Sequence, residues 1–155
     1  MMFGLQTGVY CQTLIFKDST MKITIETTIT AGTREVWDCY TDPAHITSWN
    51  FASEDWCCPN AENDLQVGGK YKARMEAKDG SMGFDFEATY AELVFGERFT
   101  YTLEDGRKVS VFFENLGNKT KVTTTFDAET ENSIEMQKNG WQSILDNFKQ
   151  YVENR

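Results

Sequence analysis

The stretch NSIEMQKNGWQSILDNFKQYVEN, residues 132–154, decides the fold. Its apolar side chains recur every three or four residues, which predicts an amphipathic helix with a single apolar stripe. Asn132, with Glu135 three residues later, is predicted to cap the start of this helix. The stripe consists of Ile134, Trp141, Ile144, Leu145, Phe148, Tyr151 and Val152. Because such a stripe must be buried, the rest of the chain has to supply a large apolar surface.

That surface is predicted to be one face of an antiparallel sheet. KITIETTIT, residues 22–30, alternates apolar and polar side chains, which is typical of a strand with one buried face. The alternation returns in five further segments after Gly69, and turn sequences such as Asp79-Gly80 and Gly117-Asn118 separate them. Strands joined by tight turns are antiparallel neighbours. The sequence therefore predicts about six antiparallel strands.

Two short helices are predicted between the first strand and the others. Thr33 is a candidate N-cap for the first helix, and Asp42 followed by Pro43 favours a second helix start. Residues 50–66 show no clear period and are interpreted as a long loop, a kind of segment that is usually functional or mobile. Upstream, residues 1–20 are interpreted as an N-terminal extension, either disordered or forming an extra strand through Tyr10–Phe16. Residues 21–155 are interpreted as one domain.

Length and charge narrow the range of functions. The 155 residues suit one domain with a sizeable core, and 24 acidic against 15 basic residues give a net charge of −9. This charge argues against binding to nucleic acid or to an anionic membrane surface. No segment approaches about 18 consecutive apolar residues, and the first twenty residues do not resemble a signal peptide. We therefore expect a cytoplasmic protein.

The sequence predicts no metal site, cofactor or catalytic residue. The cysteines form no C-x-x-C pair and lack neighbouring histidines, so Cys57 and Cys58 are interpreted as free thiols. His45 is the only histidine and is interpreted as a surface or capping residue. Asp85 and Glu87 are predicted to face solvent, although a one-residue slip of their strand would bring both carboxylates inside and permit acid–base chemistry.

The order of these elements resembles the helix-grip fold of the START-like (SRPBCC, Bet v 1-like) superfamily. EVWD at residues 35–38 and TDP at residues 41–43 resemble its first helical pair. LQVGG at residues 65–69 resembles the start of its second strand. Gly140-Trp141 resembles the closing helix of the branch named for homologues of the Hsp90 ATPase activator. The resemblance covers residues 22–153 and implies an α+β fold in which a curved antiparallel sheet wraps around the C-terminal helix.

A curved sheet around one helix leaves a concave apolar space, and such spaces are the usual ligand sites. Tyr101 can supply an orienting hydroxyl there, and Gly140 is expected to let the helix approach the sheet closely. For each predicted wall residue, ordinary core packing is the alternative interpretation. The predicted walls are Trp49, Phe84, Phe86, Tyr101, Phe113, Trp141, Leu145 and Phe148.

Three functions remain open at this stage. The favoured one is the binding or carriage of a hydrophobic small molecule, lipid-like or aromatic. The second is a protein-interaction module that resembles part of the Hsp90 activator, with a chaperone as a conceivable partner. The third is an enzyme of the cyclase or hydrolase type. A homodimer is compatible with each of them.

Overall fold

The computed structural model describes residues 21–155. The predicted strand Tyr10–Phe16, and the extension of residues 1–20 to which it belongs, lie outside the described residues. Among residues 21–155, no helix combines the length and the apolar character needed to cross a membrane.

Seven antiparallel strands form one curled sheet, in the order β1-β7-β6-β5-β4-β3-β2. The six alternating segments predicted from the sequence are all strands. Consecutive strands from β2 to β7 are neighbours, whereas β1 pairs with β7, so that Lys22 lies opposite Asp127. The strands are β1 (Lys22–Ile29), β2 (Trp56–Asn63), β3 (Lys70–Ala77), β4 (Gly83–Val94), β5 (Arg98–Leu103), β6 (Lys108–Asn115) and β7 (Thr120–Asp127).

Strand β2 corrects the interpretation of residues 50–66 as a loop. Its sequence, WCCPNAEN, does not alternate, because a bulge between Cys57 and Asn60 interrupts the pairing with β3. Pro59 lies in this bulge on an edge strand, where the missing backbone N–H is tolerated. The irregular pairing removed the period-2 signal from a segment that is nevertheless part of the sheet.

Within residues 21–155 three helices complete the predicted helix-grip arrangement: α1 (Thr33–Thr41), α2 (Pro43–Ile46) and α3 (Ile134–Glu153). The predicted start of α2 is confirmed, since Asp42 Oδ1 accepts a hydrogen bond of 2.9 Å from the Ala44 backbone N–H. Thr33 does not cap α1; its hydroxyl lies 3.3 Å from that of Thr120 on β7.

The predicted cap of α3 at Asn132 is wrong by one residue. Ser133 is the N-cap, and its hydroxyl accepts a hydrogen bond of 3.0 Å from the Met136 backbone N–H. Asn132 instead donates from its side chain to Glu129 Oε2. A serine hydroxyl is as good a cap as an asparagine amide, so the capping pattern alone did not decide between these neighbours.

Helix α3 covers both the concave face and the free edge of β1. Its buried residues Leu145, Phe148 and Val152 belong to the same core as Ile23 and Ile25 of β1. At the edge, three α3 side chains bind backbone groups of β1 and of the residue that follows it. Gln142 Nε2 donates to the Glu26 carbonyl at 3.2 Å, Lys149 Nζ donates to the Thr28 carbonyl at 2.5 Å, and Glu153 Oε2 accepts from the Thr30 N–H at 2.8 Å.

Gly140 does not mediate a close approach between helix and sheet, contrary to the sequence-based expectation. A Cβ atom placed there would meet nothing within 4 Å. The next residue makes the contact instead, because the Trp141 ring stacks on Phe126 of β7 with centroids 3.9 Å apart. A close backbone approach does occur at Gly69, where a Cβ would lie 2.1 Å from the Asp64 carbonyl oxygen.

Candidate ligand-binding cavity

A cavity of about 160 Å³ lies between the concave face of the sheet and α3. Most of the predicted wall residues line it, namely Trp49, Phe84, Phe86, Tyr101, Trp141 and Leu145. They come from β4, β5, α3 and the segment after α2, so the curl of the sheet is what brings them together. The space is therefore bounded on three sides by elements that are distant in sequence.

Phe113 and Phe148, the other two predicted wall residues, do not line the cavity. Phe148 is fully buried against Trp49, with ring centroids 4.7 Å apart, and Phe113 packs at 5.0 Å on Trp37 of α1. Both face the interior as predicted. Rings from α1 and from the residues after α2, namely Trp37, Tyr40 and Trp49, pack against them instead.

Trp141 closes one side of the cavity. Its ring stacks on Phe126 at 3.9 Å and meets the edge of Phe86 at 6.2 Å, so it bridges β7 and β4 across the curled sheet. Phe84 lies at the opposite limit of the cavity and is 51% exposed. The cavity therefore reaches the surface beside Phe84, near the β3–β4 turn.

Nine further lining residues were missed in the sequence. Two of them, Tyr71 and Tyr90, lie on the predicted inward faces of their strands, so the alternation of the sequence could have identified them as cavity residues. Asn50 gave no signal, because it lies in the segment that had been interpreted as a loop. The missed residues are Ile25, Tyr40, Asn50, Tyr71, Met75, Tyr90, Phe99, Thr124 and Ile144.

Uncharged polar groups are the only hydrogen-bonding side chains in this lining. Asn50 Nδ2 donates weakly to the Tyr71 hydroxyl at 3.4 Å, and the Tyr90 hydroxyl donates to Asn63 Oδ1 at 2.8 Å. The Tyr101 ring stacks on Tyr71, with centroids 5.6 Å apart and planes 15° apart. The Tyr101 hydroxyl, by contrast, has no hydrogen-bond partner within residues 21–155.

Burial keeps these tyrosines in their neutral, protonated form. It raises the pKa of Tyr40 to about 12, although a hydrogen bond with Thr124 opposes the shift. Burial likewise raises the pKa of Tyr71 and of Tyr101 well above the usual value, and the neighbouring tyrosine hydroxyls add to both shifts. At neutral pH these hydroxyls can therefore act as hydrogen-bond donors.

The carboxylates that could have served an enzyme lie outside the cavity. Arg74 stands opposite Asp85, and their side chains are 3.5 Å apart on the outer face. Glu87 shares that face opposite Lys72, while Phe86 points inward opposite the fully buried Ala73. The strand has not slipped, and none of the described residues that line the cavity carries a charge.

His45 and the three cysteines within residues 21–155 also lie apart from the cavity lining. His45 Nδ1 is hydrogen-bonded to the Tyr151 hydroxyl at 2.6 Å, which ties α2 to the last turns of α3. Burial raises the pKa of the Cys39 and Cys58 thiols, which makes both poor nucleophiles at neutral pH. In the part of the chain that the structure describes, no three His, Cys, Asp or Glu residues are grouped as metal ligands would be.

Comparison with known proteins places this geometry in a family. The sequence model of the family described as "Activator of Hsp90 ATPase homolog 1-like protein" matches residues 30–153. No curated protein is similar enough to count as a relative.

Solved structures agree with this match. The AHSA1-like protein from Aeromonas hydrophila is 46% identical, with a TM-score of 0.81 over 86% of this chain and 93% of its own. Chr148 from Cytophaga hutchinsonii is 45% identical, with a TM-score of 0.75 over 86% and 92%. CV1439 from Chromobacterium violaceum is 25% identical, with a TM-score of 0.75 over 85% and 96%. The chain belongs to the family of Activator of Hsp90 ATPase homolog 1-like proteins.

Proposed function

We propose that this protein binds a small hydrophobic molecule in the cavity between the sheet and α3. The observation that carries the proposal is an apolar, aromatic-lined space of about 160 Å³ inside a core that is otherwise closely packed. Hydrophobic ligands are also common in this fold family. A ligand would be held mainly by the burial of its apolar surface, at roughly 25 cal/mol per Å².

An empty cavity of this size is costly for a folded protein. At roughly 24 cal/mol per Å³, it lowers the free energy of unfolding by an amount on the order of 4 kcal/mol relative to a filled core. A ligand that fills the space regains part of this energy. A cavity of roughly 150 Å³ lined by aliphatic and aromatic side chains accommodates benzene, so the size is sufficient for one ring.

The side chains around the space favour binding over chemistry. Tyr71 and Tyr101 offer hydroxyl groups and Asn50 offers an amide, whereas the described lining holds no carboxylate, imidazole or thiol. A tyrosine whose pKa is raised by burial is a weak acid and an unlikely nucleophile at neutral pH. Such groups orient a ligand well and move protons poorly.

The experiment is a titration of the protein with toluene, followed through the methyl signals of Ile25, Ile144 and Leu145 in carbon–proton correlation spectra. These methyls line the cavity, so ring-current shifts should appear there first. We expect saturable shifts at these positions. Mass spectrometry of small molecules released from freshly purified protein would then identify the ligand class that the cell supplies.

Two variants make the test specific to the cavity. Leu145→Phe should fill the space and abolish toluene binding while the protein stays folded. Leu103→Phe makes the same change at a buried position outside the cavity and should leave toluene binding intact. If the wild-type methyl signals do not move, the cavity is closed to ligands and the interaction-module alternative becomes the better one.

A further inference from the structure

We infer that the ligand is an electrically neutral molecule of about one ring that carries a hydrogen-bond acceptor, and that Tyr101 donates the hydrogen bond to it. This inference rests on the proposed function and narrows it to a class of compound. It predicts weaker binding of a purely hydrocarbon ligand and no measurable binding of a carboxylate such as a fatty acid.

The Tyr101 hydroxyl is held inside the protein without a hydrogen-bond partner among the described residues. Tyr101 is only 6% exposed, and its ring is held by Tyr71 at 5.6 Å, Tyr90 at 5.7 Å and Phe99 at 5.4 Å. With the ring fixed in this way, the accessible surface that the hydroxyl oxygen keeps lies beside the cavity. Within residues 21–155 it has no hydrogen-bond partner, although it belongs to a residue that lines the cavity.

Two neighbouring tyrosines of the concave face are paired, unlike Tyr101. The Tyr90 hydroxyl donates to Asn63 Oδ1 at 2.8 Å, and the Tyr71 hydroxyl accepts from Asn50 Nδ2 at 3.4 Å. Within residues 21–155 the only fully inaccessible side-chain polar atom without a partner is Trp37 Nε1, whereas the Tyr101 oxygen keeps accessible surface beside the cavity. Polar groups inside proteins are nearly always paired with protein atoms or water. An acceptor atom on a ligand in the adjacent space supplies the missing partner.

The lining of the cavity limits the charge that a ligand can carry. The described residues around the cavity include no lysine, arginine or histidine that could neutralise an anion. A carboxylate placed there would be buried without a counter-ion, which is strongly unfavourable in an apolar environment. Tyr71 and Tyr101 provide no counter-charge, because burial raises their pKa values and keeps both hydroxyls neutral at pH 7. Only an uncharged acceptor, such as a carbonyl or ether oxygen, suits the site.

The volume of the cavity limits the size of the ligand. The cavity measures about 160 Å³, and one of its lining residues, Phe84, is 51% exposed. One aromatic or alicyclic ring with a short substituent fits this space. A long chain would have to extend past Phe84 into solvent and would gain little from burial.

The experiment compares three probes of nearly equal size by the same methyl titration: toluene, acetophenone and benzoate at pH 7. We expect acetophenone to bind about tenfold more tightly than toluene, since it adds one hydrogen bond to an otherwise unpaired donor. Benzoate should not bind measurably. In Tyr101→Phe, the ratio of acetophenone affinity to toluene affinity should fall to about one.

Tyr151→Phe is the matched control, because its hydroxyl bonds to His45 away from the cavity. It should leave the ratio of the two affinities unchanged. If no probe binds the wild-type protein, the proposed function itself fails. If toluene binds as well as acetophenone, if benzoate binds equally, or if Tyr101→Phe weakens both neutral probes alike, the cavity binds ligands but this inference is wrong.

Discussion

The two ends of the concave face are built from the same kind of residue and differ in how they are filled. At the packed end, which consists of Trp37, Phe113 and Phe148, the rings lie about 5 Å from their neighbours and the side chains are nearly inaccessible. At the cavity end, which consists of Tyr71, Phe86, Tyr101 and Trp141, a comparable set of rings surrounds empty space. Aromatic content alone therefore does not indicate a binding site.

The difference arises from what lies above the sheet at each end. Helix α1 places Trp37 and Tyr40 over the packed end, and Trp49 follows from the segment after α2. At the cavity end α3 faces the sheet through Trp141 and Leu145, with Tyr40, Trp49 and Asn50 at the margin of the space. These side chains do not fill the width of the curled sheet, so a void remains.

We expect the largest change in folding stability when the pH is raised. Four of the six tyrosines, including Tyr71 and Tyr101 of the cavity end, have pKa values raised by burial. The folded state therefore holds these protons more tightly than the unfolded state, whose tyrosines titrate near pH 10. This contribution to stability is complete below about pH 10 and is lost as the pH rises toward and beyond 12.

For Tyr40, whose folded pKa is about 12, the loss by pH 12 is on the order of 2 kcal/mol. Together with Tyr71 and Tyr101, this is expected to unfold a domain of ordinary stability. Circular dichroism and tyrosinate absorbance should change in one cooperative transition between about pH 10 and 12, and Tyr101→Phe should move it to higher pH. Tyrosinate absorbance from all six tyrosines in an intact fold would contradict the burial of these hydroxyls.

The next largest change in stability should come from replacing tryptophan, and it should differ between Trp37 of the packed end and Trp141 of the cavity end. Trp37→Ala removes a ring that is 1% exposed, and should lower the free energy of unfolding by about 3–5 kcal/mol in urea denaturation. Trp141→Ala removes a half-buried ring and should cost only about 1–2 kcal/mol. Toluene affinity should show the reverse order, with Trp141→Ala the more damaging. Equal losses of stability would mean that the cavity end is as tightly packed as the other.

Two glycines beside the cavity end should respond in opposite directions. Gly69→Ala places a methyl group 2.1 Å from the Asp64 carbonyl oxygen, and the overpacking should cost about 1–3 kcal/mol. Gly140→Ala points into open space within α3 and should stabilise the protein by about 0.5–1 kcal/mol. Thermal denaturation of both variants measures the difference. A destabilised Gly140→Ala would restore the original expectation of a tight contact there.

The smallest effect should come from single hydroxyl groups. Tyr90→Phe leaves Asn63 without its donor and should lower the free energy of unfolding by about 1 kcal/mol. Tyr101→Phe removes a hydroxyl without a partner in residues 21–155, so its stability should equal or slightly exceed that of the wild type. Urea denaturation of both variants decides the matter. A loss at Tyr101 as large as that at Tyr90 would show that its hydroxyl is paired.

Most of the fold was predictable because most of its elements are regular. The alternation in β1 and the stripe of α3 survive in the structure almost residue for residue. Strand β2 was not predictable in the same way, since the bulge at Pro59 shifts its side chains out of phase.

The walls of the cavity were predictable only in part. Periodicity tells which face of an element points inward, and Phe113 and Phe148 do point inward. It does not tell what lies opposite, which here depends on the helices between β1 and β2. The unpaired state of the Tyr101 hydroxyl depends on the positions of side chains from several strands, and no local pattern encodes it.

Because α3 covers the edge of β1, this strand stays incompletely covered while the chain is being synthesised. Among the described strands β1 is synthesised first, while its two partners, β7 and α3, are synthesised last, about a hundred residues later. Until they emerge, the apolar face of β1 has nothing to cover it, and its backbone groups remain open to pairing with other chains. Folding that depends on contacts so distant in sequence is slow. Three α3 side chains can therefore bind the edge of β1 only after the rest of the sheet has been made. They are Gln142, Lys149 and Glu153, and they cover a strand edge that was open to aggregation until then.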